Sequence, residues 1–347
     1  MTMVEKKIEN KAEEKEVAKE IKAEKKPVKL KLDLDKIVSK VQTGFGKDKS
    51  SAAQINTGAS ISRPNRDCDY ILWEHEDKTK KSPWESLTNT RGLIYGRVTV
   101  ISGKPDSGKS THAAKFMKLA QDQGAICVLV DTENKFSKIR FTKFFNGNAD
   151  EILITTSKMI LEGANHVEQF IHAIYEQNPK QKVLVIIDSV GGNLARNEDD
   201  EHTMDGGKQL AAAAKENAVF LRGMTRLMEK YKNKENNEEM IAVLLITQTY
   251  ATIGIGPSVQ KEKGGEAITY YASIIVQLSR KADLSKTKDN IKYKIGIETR
   301  ARVKKNHLSD SEMSVAELPL IITAGGIELL SEKKVKSSGD EETEIEE

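Results

Sequence analysis

Strand-like apolar runs alternate with helix-spaced segments through the middle of this chain. The run Arg97-Val98-Thr99-Val100-Ile101-Ser102 is β-branched and leads into a glycine-containing loop, after which residues 111–123 place Ala114, Phe116, Met117 and Leu119 at helical spacing. The pattern repeats. AICVLVD (125–131) and residues 151–155 read as strands, and residues 166–177 read as a helix with Val167, Phe170, Ile171 and Ile174 on one face. VLVIID (183–188) is a continuous apolar strand, residues 206–232 read helical, and IAVLLIT (241–247) is another apolar run. Strands apolar on both faces, separated by helices, predict an α/β fold: a mostly parallel sheet covered by helices. After Tyr271 the texture changes to shorter strands at 273–279, 293–304 and 319–323, interrupted by glycine and charge, which predicts an antiparallel extension. No internal repeat is present.

The ends differ from this middle. Residues 1–29 interleave Lys and Glu with almost no large apolar side chains, so they cannot offset their ordering entropy by forming a core. They read as a charged arm, disordered or loosely helical through i,i+4 Glu–Lys pairs. Apolar spacing begins at Leu30, Leu32, Leu34, Ile37, Val38 and Val41 and breaks at Gly44-Phe45-Gly46, a short helix or strand whose apolar face needs a cover. The expected organisation is therefore arm 1–29, docking segment 30–55, core 56–330 and an acidic, disordered tail 331–347 ending DEETEIEE.

Composition narrows the class. With 38% hydrophobic and 31% charged residues among 347, the chain suits a globular domain with a charged surface. No apolar run of about 18 residues suggests a membrane helix, and the Glu-rich N-terminus lacks a secretory h-region and argues against a mitochondrial transit peptide. Cys68 and Cys127 are too few and too far apart for a disulfide framework or a zinc site, so a reduced, cytoplasmic protein is expected, in a bacterium or a phage-infected host. A net charge of +3 says little about nucleic acid by itself.

The candidate chemistry centres on Gly103-Lys104-Pro105-Asp106-Ser107-Gly108-Lys109-Ser110, which fits G-x-x-x-x-G-K-[ST] between a strand and a helix that starts near Thr111. Glycines allow backbone N–H groups to curl around phosphates, and the following helix adds its N-terminal dipole. Lys109 would sit on the β/γ oxygens of ATP and the Ser110 hydroxyl on Mg²⁺. Asp188, at the end of VLVIID, is placed to help hold the metal, because apolar strands of one sheet end on the same edge. A carboxylate must also orient or deprotonate water. Glu133 is the preferred candidate, with Asp131, two residues away on the same side of the strand, as its competitor. Gln248 ends the strand IAVLLITQ and can report the γ-phosphate to the flexible loop that follows. A plain loop cap or strand terminator is the bland alternative for Asp188 and Gln248.

At this point the chain resembles the RecA-type recombinases, including the UvsX-like proteins of phages, over roughly residues 40–330. The resemblance is carried by VQTGFGK (41–47), INTG (55–58), GKPDSGKST, VDTE (130–133), VIIDSV (185–190), LLITQ (244–248), GGEAITYYAS (264–273) and IETRARVKKN (297–306), in the family's order. It implies a RecA-like P-loop ATPase core with an N-terminal oligomerisation arm, and a DNA-dependent ATPase that forms helical filaments on single-stranded DNA and exchanges strands with duplex DNA. Glu133 would be the catalytic glutamate, Asp188 the metal-side aspartate, Gln248 the γ-phosphate sensor and Lys305 a lysine reaching the neighbouring subunit's ATP. Residues 191–208, with Arg196, and 249–264 would be the two DNA loops. In the second, Ile253 and Ile255 are possible wedges between bases, Lys261 and Lys263 phosphate contacts, and Tyr250 a stacking platform, with Gly254, Gly264 and Gly265 giving flexibility. Self-association is implied, with a single-strand-binding protein and a loading mediator as further partners.

The departures are specific. His307 stands where the family usually has a second interface lysine, and Arg140 near a position where an aromatic often covers the adenine, although a guanidinium can stack there too. The segment WEHEDKTKKSPWESL (73–87) is an insertion of unassigned purpose, and Glu198–Glu201 place acid inside the first DNA loop. The chain ends soon after the core, which favours a compact, phage-like version. An ATP-switched assembly or regulatory protein without strand exchange, and a hexameric helicase, are the competing readings.

Overall fold

The computed structural model describes Lys36 and residues 70–190, 206–233, 238–251, 260–262, 265–288, 290–307, 317–324 and 326–330. The first strand to β3 run β1 (Tyr70–Leu72), α1 (Pro83–Thr88), β2 (Gly92–Ile94) and β3 (Val98–Gly103). Then come α2 (Lys109–Asp122), β4 (Ile126–Asp131), α3 (Lys138–Phe145), β5 (Ile152–Thr155), α4 (Ile160–Gln177) and β6 (Val183–Asp188). The rest is α5 (Gly206–Lys230), β7 (Ile241–Ala251), β8 (Gln260–Glu262), α6 (Glu266–Tyr271), β9 (Ala272–Lys288), β10 (Ile291–Asn306), β11 (Leu318–Thr323) and β12 (Gly326–Leu329).

The main sheet has the order β12-β11-β10-β9-β3-β7-β6-β4-β5, with β8 attached to β7. From β9 to β5 neighbouring strands are parallel, and β10, β11 and β12 add on antiparallel. Side chains alternate between two cores, as the pleat requires. Val183, Val185 and Ile187 face α4 and α5, among Phe170, Ile174, Leu221 and Met224. Leu184 and Ile186 face the opposite side, with Phe116, Met117, Phe141 and Trp84. Each fully buried apolar side chain of this kind contributes about 1.5–3 kcal/mol relative to exposure. That two-sided burial is why these strands read as unbroken apolar runs.

Local signals set the shorter elements. Ser82 caps α1 by accepting from the Glu85 N–H, with Pro83 in the first turn, and Asn89 ends the helix in a left-handed conformation. The insertion thus carries a short helix and is flanked by β1 and β2. β1 and β2 pair as a two-stranded sheet, and Trp73 and Trp84 both meet the Phe116 ring edge-on, at centroid distances of 5.3 and 4.9 Å, clamping the segment to α2. No helix among the described residues is long and apolar enough to cross a membrane.

Four elements differ from the sequence reading. The strands after Tyr271 are long: β9 has 17 residues and β10 has 16. Bulges near Gly296, Thr299 and Lys305 absorb the interruptions that glycine and charge suggested. Gln248 does not end its strand, because β7 continues to Ala251 and pairs antiparallel with β8 through Thr249↔Glu262, Tyr250↔Lys261 and Ala251↔Gln260. Residues 249–251 are therefore paired strand and not loop, while 252–259 lie outside the described residues. Finally, α4 starts at Ile160, six residues ahead of the expected 166, because Ile160 and Gly163 also pack inward.

Candidate nucleotide site

The parallel topology brings the ends of β3, β4 and β6, and Gln248 within β7, to one edge. Gly103 of β3 lies opposite Gln248 of β7 in the ladder, and Asp131 of β4 lies opposite Asp188 of β6. Between them the Gly103–Ser110 loop joins β3 to α2. Glycine is required at two points. Gly108 has φ 93°, and a Cβ there would come 2.2 Å from Cδ1 of Ile322; a Cβ on Gly103 would come 2.4 Å from the Leu278 carbonyl oxygen. The loop encloses a cleft of about 650 Å³, walled on one side by Arg140 and Phe144 of α3 and on the other by residues of β10 and β11 such as Gly296 and Ile322. That volume suits a nucleotide-sized ligand.

Within the cleft, the Lys109 ammonium donates to the Lys104 carbonyl oxygen at 2.6 Å. Burial lowers the Lys109 pKa, opposed by the carboxylates of Asp188, Glu133 and Asp106. Burial raises that of Asp188, opposed by a hydrogen bond from the Ser110 hydroxyl. Glu133 Oε1 accepts from Ser189 Oγ at 2.8 Å and from Gln248 Nε2 at 3.3 Å, and its carboxylate is ion-paired with Lys135. Lys135, ahead of Ser189 and Gln248, holds Glu133 below the usual carboxylate range against the opposing effect of burial. Asp131 is differently employed. Its two oxygens accept the backbone N–H groups of Lys135 at 3.1 Å and Phe136 at 2.7 Å, so it is a buried turn cap.

The cleft therefore gathers Pro105, Asp106, Ser107, Gly108, Lys109, Ser110, Thr111, Glu133, Arg140, Asp188 and Gln248 from the residues singled out in the sequence. Lys104 contributes its carbonyl oxygen. Lys305 is not among them. It lies on β10 with its ammonium donating to the Thr269 and Tyr270 carbonyl oxygens at 2.7 and 3.3 Å. Tyr250 is 45% exposed on the hairpin stem, and Lys261 stands opposite it in the ladder. Gly265 starts α6 at φ 90°, where a Cβ would come 2.7 Å from that of Ala214 in α5, so helix packing accounts for this glycine. Arg196, Ile253, Gly254, Ile255, Lys263 and Gly264 lie outside the described residues, as do the tail 331–347 and all of the arm and docking segment except Lys36.

Sequence reasoning missed Lys135 and Ser189, both of which touch Glu133. The available signal was a lysine two residues beyond the candidate base, in VDTENK, and a serine beside Asp188. Among the described residues no group of three or more His, Cys, Asp and Glu side chains is arranged to hold a metal. One carboxylate and one hydroxyl suit Mg²⁺ when phosphate oxygens and water complete its shell, so Asp188 and Ser110 fit the ion together with a nucleotide.

A family model described as the RecA N-terminal domain matches residues 85–327. The chain belongs to the RecA family. That RecA match spans every strand from β3 to β11 and the whole cleft. Among curated relatives, the protein RecA of Ureaplasma parvum serovar 3 is 28% identical over 229 residues, covering 65% of this chain and 61% of the relative. This chain thus spans about three fifths of that relative's length. The protein RecA of Wolbachia pipientis subsp. Culex pipiens is 26% identical over 278 residues, covering 80% and 68%. That of Wigglesworthia glossinidia brevipalpis is 27% identical over 281 residues, covering 80% and 74%. These RecA relatives are bacterial, so they carry the family and not a closer likeness to phage recombinases.

Proposed function

We propose that this protein is an ATP-dependent homologous-recombination protein that assembles as a helical filament on single-stranded DNA and pairs it with homologous duplex in the cytoplasm. The observation that carries this reading is the continuity between the Glu133 carboxylate, the Gln248 amide bonded to it, and the β7–β8 hairpin that grows from the same strand. It joins a group suited to hydrolysis with a surface suited to DNA.

In this reading Lys109 and the loop N–H groups hold the phosphates, and Ser110 with Asp188 holds Mg²⁺. When bound, the ion neutralises charge on the phosphate oxygens. Glu133 orients and deprotonates the attacking water, while Ser189 and Gln248 fix its carboxylate. The occupation of both Asp131 oxygens by backbone N–H groups supports Glu133 over Asp131 for that role. Arg140 and Phe144 flank the place for the base. Tyr250 and the hairpin tip meet DNA, with Arg196 from the first loop, and Lys305 reaches an adjacent protomer onto which residues 30–55 dock. A single-strand-binding protein and a loading mediator would act alongside.

The decisive experiment measures ATP hydrolysis with and without single-stranded DNA, for the wild type and Glu133→Gln. DNA stimulation that falls by about 10²-fold or more in the variant is expected, the range for loss of a general base. A wild-type rate that ignores DNA would move the reading to an ATP-switched assembly protein. Closed rings by electron microscopy would move it to a helicase.

A further inference from the structure

Several charged groups that line the cleft already have partners. Asp131 is taken up by two backbone N–H groups, and Lys294 by Asp283 at 2.8 Å. Lys109 rests on a carbonyl of its own loop. Lys135 differs from all of these. Its backbone is pinned by Asp131 at the end of β4, yet its side chain is 77% exposed, lines the cleft, and reaches back to the Glu133 carboxylate. Lys135 and Lys109 line the same cleft as the carboxylates of Glu133, Asp188 and Asp106. A second ammonium thus stands within the same cleft as the first.

We propose that Lys135 is a phosphate ligand supplied in cis, whose ammonium moves from Glu133 to the terminal phosphate when a nucleoside triphosphate binds, leaving the Glu133 carboxylate free to accept a proton from water. The inference rests on the nucleotide reading of the cleft given above. The charge argument is direct. At equal distance a terminal phosphate carrying about two negative charges attracts an ammonium about twice as strongly as a carboxylate does. A four-carbon stem on a fixed backbone gives Lys135 the reach without moving the fold. Glu133 does not lose its position when the ammonium departs, because Ser189 and Gln248 still hold the same oxygen. A carboxylate freed of its counter-cation has a higher proton affinity and is a better base. The ion pair would therefore keep the base occupied in the empty or diphosphate-bound cleft, and the third phosphate would release it.

The test is nucleotide affinity, read by fluorescence with labelled ADP and labelled ATPγS, for the wild type, Lys135→Ala and Lys135→Arg. Lys135→Ala should weaken ATPγS by about tenfold or more, the loss of a charge-assisted contact. ADP affinity should stay within about twofold, since a single rim charge contributes little without a direct contact. Lys135→Arg should restore most of the ATPγS affinity. Equal weakening of both nucleotides would overturn the proposal, leaving Lys135 as general electrostatic attraction. So would unchanged affinities with a faster hydrolysis rate, which would make Lys135 a restraint on Glu133 alone. If Lys109→Ala binds ATPγS as tightly as the wild type, or the wild type binds none, the nucleotide reading itself fails and this inference with it. Lys135 is exposed, so coincident melting curves should certify that its variants are folded.

Discussion

Between Ala272 and Leu278, β9 lies deep in the sheet beside β3, with Ile274, Val276 and Leu278 buried, and β10 returns past it with Thr299 and Ala301 buried. Beyond Leu278, the same two strands carry Arg280, Lys281, Lys286, Lys288, Lys292 and Lys294, with Ile291, Tyr293 and Ile295 about half exposed. Ladder pairing runs through both halves, from Ile291↔Lys288 to Asn306↔Ile274. One half is held by burial and the other by backbone pairing and a few ion pairs. The difference teaches that strand identity and strand stability have separate origins here. The exposed half also supplies Gly296 and its neighbours as a wall of the cleft, so its weaker support lies where a ligand would bear on it.

The contrast makes graded predictions. In the buried half, Ile274→Ala should cost about 2–5 kcal/mol, as core truncations do, seen as a lower denaturation midpoint with unchanged slope. A loss below about 1 kcal/mol would mean that this half is not core. At the junction, Gly296→Val would drive a Cβ to within 2.5 Å of the Ile322 carbonyl oxygen. Overpacking of that sort costs about 1–3 kcal/mol, and nucleotide affinity should fall with it, because the cleft wall must shift. The smallest effect belongs to the exposed half. Asp283 accepts from Lys294 and Arg280, which hold its carboxyl below the ordinary value. Its folded pKa is depressed, so its contribution is present above the unfolded aspartate value of about 3.9 and lost as pH falls through the folded value. Asp283→Asn at neutral pH should reproduce that loss, with faster amide exchange around 280–296 and no change in melting temperature. A global destabilisation by Asp283→Asn would erase the distinction between the two halves.

The parts of the molecule that were legible beforehand are those whose cause is local. VLVIID and IAVLLIT announce strands buried on both faces, and strands that share a direction must end on one edge, which placed Lys109, Glu133, Asp188 and Gln248 together. What escaped depends on partners distant in sequence. The length of β9 and β10 comes from their pairing with each other, which tolerates Gly296 and charged residues at a bulge. Asp131 competes with the preferred Glu133 until the backbone turn at Lys135 and Phe136 claims it. The insertion at 73–87 shows no strong periodicity, yet its two tryptophans find Phe116 on α2. Asn306 then links it to the far sheet through the Thr88 carbonyl oxygen at 2.7 Å.

The uninterrupted run of β7 through Gln248 into the hairpin stem has a thermodynamic corollary. One ladder-paired strand joins Gln248 at the cleft directly to the residues that pair with β8. Work done at either end is felt equally at the other. On the proposed function, whatever factor by which a triphosphate in the cleft tightens the hold of the hairpin on a strand of nucleic acid, that strand must tighten the hold of the cleft on the triphosphate by the same factor.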